Sequence, residues 1–251
     1  MNLNPSDLAY FNRGAEANPR FWARFGGAPD FARAAILDVG CGHGSLVMDM
    51  AGAGAERVVG LDLNSRLIDF ANTYLDSNRS ELRDHAAFYC LDLQDYPAEH
   101  FDIIVSKDSF EHIIDLQGML AAMRRHLHPG GRVYAGFGPL YHSPFGDHDA
   151  VRPPAPIPWV HLALGDRRVL ARVNRRRREK VTSIQELGLN QLALSDYRRL
   201  FAESGLNEVW LATNCTRRPI GKVFGALGHV PLLAKYFTFN VYCILEQPQR
   251  S

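Results

Sequence analysis

Hydrophobic positions along this chain change period several times, and each change marks an element. Ile36, Leu37 and Val39 flank Asp38 in a run closed by glycines, the pattern of a short buried strand. Leu46, Val47 and Met50 then recur at helical spacing. RVVGLDL reads as a second strand ending at Asp62, and Leu67, Ile68, Ala71 and Leu75 mark a helix capped by Asn64 or Ser65. AAFYCLDL is a third strand ending near Asp92, and FDIIVS a fourth, almost wholly apolar as a central parallel strand should be. Ile113, Leu116, Leu120, Met123 and Leu127 follow in steps of three and four, so a helix is expected to run to about His128. PGG should stop it before RVYAGF, a fifth strand.

Strand and helix alternate to this point, which predicts an α/β fold with a doubly wound parallel sheet and helices on both faces. The alternation breaks at Gly138. Residues 139–194 hold six prolines, several histidines and an arginine-rich run. Periodicity resumes in SDYRRLFAESG, where Ser195 would cap a helix with Tyr197, Leu200 and Phe201 on its apolar face and Gly205 at its end. NEVWLAT and NVYCILEQ supply two last strands. The expected organisation is one domain over 1–251: an N-terminal helical lid (1–33), a ligand-binding core (34–138), an insertion (139–194), and a closing part of the sheet (195–251) with a second insertion at 214–239.

Composition narrows the picture. The chain has 251 residues, 46% of them hydrophobic, enough to bury a full core. Its 28 basic and 27 acidic residues give a net charge of +1, so no global field draws it to nucleic acid or membrane. Cys41, Cys90, Cys215 and Cys243 form no CxxC pair, which suits reduced thiols in a cytoplasmic protein. The N-terminus lacks the basic and apolar regions of a secretory signal, and no apolar run is long enough to span a membrane.

The candidate chemistry starts at Gly40, Gly42 and Gly44, where the first strand gives way to a helix. Backbone N–H groups and the helix dipole gather there, and glycines let a ligand approach closely. A dinucleotide site would use G-x-G-x-x-G. Here the spacing is G-x-G-x-G with Asp38 just before it, which would repel a pyrophosphate and suit an ammonium or a sulfonium. Asp62, 18 residues after Gly44, can accept from both ribose hydroxyls, a role common to both ligand classes. Asp92 could accept from an adenine amino group, with Leu63 and Leu93 against the ring.

LDVGCGHG, VVGLDLN, CLDLQDYP, FDIIVSKDSFEHI and LHPGGRVYAGF together resemble the successive motifs of class I S-adenosylmethionine-dependent methyltransferases. The likeness covers roughly residues 34–138, with the last helix and strands. It implies a Rossmann-like seven-stranded sheet whose last strand is antiparallel, and S-adenosyl-L-methionine as cofactor. It further implies that Gly40, Gly42 and Gly44 approach the methionine part, Asp62 the ribose, and Asp92 with Leu93 the adenine; Cys41, within the same turn, is expected among the cofactor-binding residues. Lys107 stands where the fourth strand ends beside that cofactor, an unusual residue there and one given no role.

Methylation of an oxygen needs the acceptor positioned, water excluded and a proton removed. Histidine, with an ordinary pKa of about 6.5, is a suitable base. The candidates are His148 first, then His142 and His112, with Asp147 as an assisting carboxylate; a structural loop is the competing reading of this cluster. A metal site that adds His161 is a minor alternative, but His-x4-Asp-His matches no established metal-ligand spacing, and no metal is expected. Aromatic and apolar insertions suit a small organic acceptor with a hydroxyl or carboxyl oxygen. The run from Arg167 to Lys180 carries eight basic residues and no interleaved aromatic, so methylation of RNA or of a carrier-tethered substrate is the alternative rather than the main reading. A non-catalytic binding protein of the same fold is the third. The oligomeric state is left open.

Overall fold

A computed structural model describes residues 3–153, 155–215, 219–228 and 230–249. Seven strands form one sheet: β1 (Ala35–Val39), β2 (Arg57–Asp62), β3 (Ala86–Cys90), β4 (Phe101–Lys107), β5 (Leu127–Phe137), β6 (Asn207–Thr213) and β7 (Val241–Glu246). Their order is β3-β2-β1-β4-β5-β7-β6. The first five pair parallel, and β7 runs antiparallel between β5 and β6. The parallel half needs crossover helices, which the chain supplies as α2 (Ser45–Gly52), α3 (Ser65–Asn78) and α4 (Leu116–Arg125), with α7 (Leu194–Glu203) leading into β6.

The twofold alternation of strand side chains divides the core into two layers. Ile36, Val58 and Ile103 enter one layer with Leu46 and Met50 of α2 and Ile68 and Ala71 of α3. Leu37, Val59 and Ile104 enter the other with Leu120 and Met123 of α4 and Tyr197 and Phe201 of α7. The helix α1 (Pro5–Ala23) joins the first layer through Phe11, Phe21 and Trp22.

Three local expectations are corrected. The helix after the fourth strand is shorter than its spacing predicts, because Asp115 caps its start at the Gly118 N–H and His126 closes its end. Leu127 continues the helical spacing yet begins β5, opposite Phe101, and is buried there. PGG therefore stops no helix; it lies inside β5, where the register shifts between Phe101 and Ile103 to absorb it. Ser195 lies inside α7 rather than capping it, and the Asp196 carboxylate accepts the Ala193 N–H at 2.9 Å in its place.

After β5 the chain turns repeatedly, then forms α5 (Val160–Leu164) and α6 (Asp166–Asn174). Tyr141, Val151, Val169, Val173, Val181, Ile184 and Leu189 give this segment a small core of its own. All eight basic residues between Arg167 and Lys180 are exposed. Between β6 and β7 lie α8 (Pro219–Gly228) and α9 (Pro231–Phe237). None of the described helices is long and apolar enough to cross a membrane. The four cysteines are free.

Candidate active site at the carboxyl ends of the strands

Four parallel strands end at one edge of the sheet, and the turns that leave them enclose a cavity of about 640 Å3, covered on one side by Tyr10, Arg13 and Gly14 of α1. Of the predicted ligand-binding residues, Asp38, Gly40, Cys41, Gly42, Asp62, Leu63, Asp92 and Leu93 all line it; Gly44 does not.

The three alternate glycines have separate reasons to be glycine. All adopt left-handed backbone, with φ of 80°, 55° and 80° at Gly40, Gly42 and Gly44. A Cβ at Gly40 would strike the Ser109 hydroxyl, and one at Gly44 would lie 2.5 Å from the Phe88 ring. At Gly42 a Cβ would meet open space, so here the missing side chain leaves room above the backbone. Gly44 thus packs the turn against β3 and α3 while Gly42 opens it to the cavity.

Asp62 shapes this turn. Its Oδ2 accepts the Gly42 N–H at 2.9 Å, and its Oδ1 accepts the Asn64 N–H at 2.8 Å. Asp92 similarly turns the chain after β3, accepting the Gln94 N–H at 2.8 Å. Leu93 is fully buried in the sheet core where it reaches the cavity, whereas Leu63 is exposed at the rim. The Cys41 thiol is pushed up by burial and by the neighbouring Asp38 and Asp62 charges, so it stays a neutral lining group.

Asp38 is the electrostatic feature of the site. It is buried in β1, and its Oδ1 has no hydrogen-bond partner. Desolvation pushes its pKa up to about 7, against the pull of Lys107 and with the repulsion of Asp62. A buried carboxyl oxygen without a donor is costly unless something supplies one. Lys107 does not: its Nζ donates to Asn18 Oδ1 at 2.8 Å, and Asn18 in turn donates to Asp49 at 2.6 Å. Burial lowers the Lys107 pKa, offset by Asp108, Asp38 and Asp49.

Sequence reasoning expects an N-terminal helical lid but not the polar contacts that seat α1 over the site. Asp7 accepts from Arg66 of α3 and pairs with His43 at 3.1 Å, and the Tyr10 and His43 rings lie 4.7 Å apart. These contacts, with the Lys107–Asn18 bond, pin α1 over the glycine turn. They join residues dozens of positions apart, and no local spacing announces them.

The histidines separate into two groups. His112, just beyond β4, lines the cavity, and its ring centroid is 4.8 Å from that of His148. Glu111 lies close to both and is buried, with its carboxyl pushed up by desolvation; its Oε1 accepts the Gly138 N–H at 2.8 Å. His148 has φ of 48° within a tight turn that also holds Phe145, Asp149 and Arg152 in left-handed backbone. Burial lowers the pKa of His148 and of His142. His142 points elsewhere, its Nε2 bonded to the Gln191 carbonyl at 3.0 Å. Asp147, the carboxylate expected to assist, instead accepts the Val151 N–H and faces the buried His161 at 3.6 Å.

Sheet order, an antiparallel β7, and a glycine turn opening with strand-end acids onto one cavity define the class I S-adenosylmethionine-dependent methyltransferase fold. Residues 37–135 match the family described as methyltransferase domain. Ubiquinone biosynthesis O-methyltransferase of Thiobacillus denitrificans is 36% identical over 103 residues, which are 39% of this chain and 42% of that protein. The 27-O-demethylrifamycin SV methyltransferase of Amycolatopsis mediterranei is 31% identical over 141 residues, 55% of this chain and 51% of that one. The chain therefore matches about half the length of these curated relatives. Among solved structures, an S-adenosylmethionine-dependent methyltransferase from Mesorhizobium loti aligns with a TM-score of 0.60 at 17% identity, over 94% of this chain and 99% of that one, a likeness of fold.

The cofactor of this class is S-adenosylmethionine, and the residues present fit it. Open space above Gly42 admits a ligand against the backbone, and the unpartnered Asp38 oxygen suits a cationic donor rather than a phosphate.

Proposed function

We propose that this chain transfers the methyl group of S-adenosylmethionine to an oxygen of a small organic acceptor. The observation that carries the reading is that Gly42, the unpartnered Asp38 carboxyl and His112 line one cavity. Bound there, the cofactor supplies an electrophilic methyl on a sulfonium. Asp38 holds the ammonium end, Gly40 and Gly42 let the backbone approach it, and Asp62 and Asp92 accept from ribose and adenine with their remaining lone pairs. Cys41, Leu63 and Leu93 give apolar walls, and Gly44 acts through packing.

A hydroxyl acceptor must lose a proton as it is methylated, and we assign that event to the corner of the cavity formed by His112 and His148. His142 is assigned a supporting place in the loop beyond β5. The helix α1 and the insertion exclude water from the reacting atoms. Relatives named as O-methyltransferases support oxygen as the accepting atom.

A panel of phenols, hydroxy acids and carboxylic acids, incubated with methyl-labelled cofactor, tests the acceptor class. Label on oxygen is expected; label only on nitrogen or carbon acceptors contradicts it. His148→Ala is expected to lower turnover while leaving cofactor affinity in place. An equal loss of both, or of neither, removes His148 from the proton-accepting corner.

A further inference from the structure

Glu111, His112 and His148 each bring one ligand atom to within 4.8 Å of the other two. Their remaining bonds prepare them for a shared partner. Glu111 uses Oε1 on the Gly138 N–H, while its Oε2 is buried and has no hydrogen-bond partner. His112 Nδ1 lies 2.7 Å from the Gly188 carbonyl, and His148 Nε2 lies 2.9 Å from the Pro139 carbonyl. A carbonyl only accepts, so each of those nitrogens carries the proton. The neutral rings then keep lone pairs on His112 Nε2 and His148 Nδ1. Backbone carbonyls that fix the tautomer in this way are the usual second partners of metal-binding histidines.

We propose that this corner binds a divalent transition cation of the zinc or cobalt class, through Glu111 Oε2, His112 Nε2 and His148 Nδ1. Two imidazoles and one carboxylate suit such ions, whereas Mg2+ prefers an all-oxygen shell. Three protein ligands leave a position open, the arrangement of a catalytic rather than a structural site. Ligand bonds of about 2.0–2.2 Å require the three side chains to close modestly around the ion. His112 is exposed and lines the cavity, so the open position faces the acceptor. Lys107, the nearest cavity cation in sequence, is turned away onto Asn18. The inference rests on the methyl-transfer reading and deepens it. A hydroxyl held at the open position has its pKa lowered; its O–H bond breaks and the proton leaves to solvent on the exposed side of His112, away from the reacting atoms, while the oxygen keeps the electron pair and forms the O–CH3 bond as the sulfonium S–CH3 bond breaks and S-adenosylhomocysteine departs. His112 and His148 then act as ligands. The sequence alone predicts no metal here, because Glu111 and His148 lie in different loops.

The test is titration of the tag-free, chelator-stripped chain with Co2+, read by its visible absorption, with Zn2+ as competitor. One Co2+ per chain is expected, displaced by Zn2+. His112→Ala and His148→Ala should each weaken binding by more than the roughly 10–100-fold that loss of an outer hydrogen-bonding partner costs. Glu111→Gln keeps an acceptor for Gly138 and tests the third ligand without emptying the buried position; thermal melts establish that each variant is folded. No Co2+ band, or binding unchanged in all three folded variants, overturns the site. S-adenosylhomocysteine binding is measured on the same samples. If it binds and Co2+ does not, the metal site falls and methyl transfer stands. If Co2+ binds at the triad in a chain that binds no cofactor, the site stands and the methyl-transfer reading falls.

Discussion

Asp62, at the end of β2, accepts the Gly42 N–H at 2.9 Å, so the acid of one strand holds the glycine turn of its neighbour. One side chain therefore sets the shape of the turn and offers its remaining lone pairs to a ligand. Asp62→Ala removes both and is expected to weaken cofactor binding about ten- to a hundredfold by calorimetry, since a charge-assisted hydrogen bond contributes about 1.5–3 kcal/mol. Asp62→Asn retains an acceptor for Gly42 and should lose less. Unchanged affinity in Asp62→Ala would take this residue out of the site.

The two glycines Gly42 and Gly44 should fail in different assays. Gly44→Ala forces a methyl onto the Phe88 ring from a left-handed backbone position, and should cost roughly 1–3 kcal/mol of stability in denaturant unfolding. Gly42→Ala meets no neighbour, so its stability loss is confined to about 1–2 kcal/mol of backbone strain. Its larger effect should fall on cofactor affinity, because the methyl occupies the ligand's space. Equal profiles for the two variants would contradict the division of roles.

Asp38 makes the apo protein sensitive to pH. Its pKa is raised from 3.8 to about 7 in the folded chain, chiefly by desolvation. Between those values the native state keeps a proton that the unfolded state has lost. The associated stability is complete below about pH 4, declines as pH rises through about 7, and is level above that; its size is on the order of 4 kcal/mol. Cofactor affinity should move the opposite way, rising towards pH 7 as the carboxylate forms and pairs with an ammonium. Asp38→Asn should flatten both profiles, measured by urea unfolding and by calorimetry across pH 5–8. Profiles of the same slope in the variant would assign the titration elsewhere.

Much of the sheet could be read from the chain. Strand runs such as FDIIVS are apolar because both faces of a central parallel strand are covered, and the helix beginning after Asn64 carries its own cap. Errors arose where one pattern serves two structures. Leu127 stands four residues after Met123, as a helix requires, yet its burial comes from pairing opposite Phe101. At the site, strand-end acids were legible because strand, turn and residue type coincide within a few positions. The histidine cluster was not. His142, Asp147 and His148 are close in sequence, but tight left-handed turns send them to three different partners, and His148 instead meets His112 from another loop. Pairing across loops, like the seating of α1 by Asp7 and Asn18, depends on tertiary geometry that no spacing rule encodes.

The central claim is the identity of the ligand at the glycine turn, and calorimetric titration of the purified chain with S-adenosylmethionine, S-adenosylhomocysteine and NAD tests it most directly. One site per chain, with micromolar dissociation constants for the first two (about −8 kcal/mol) and no heat from NAD, is the expected result. Binding of NAD without the other two, or of none of the three, would contradict it.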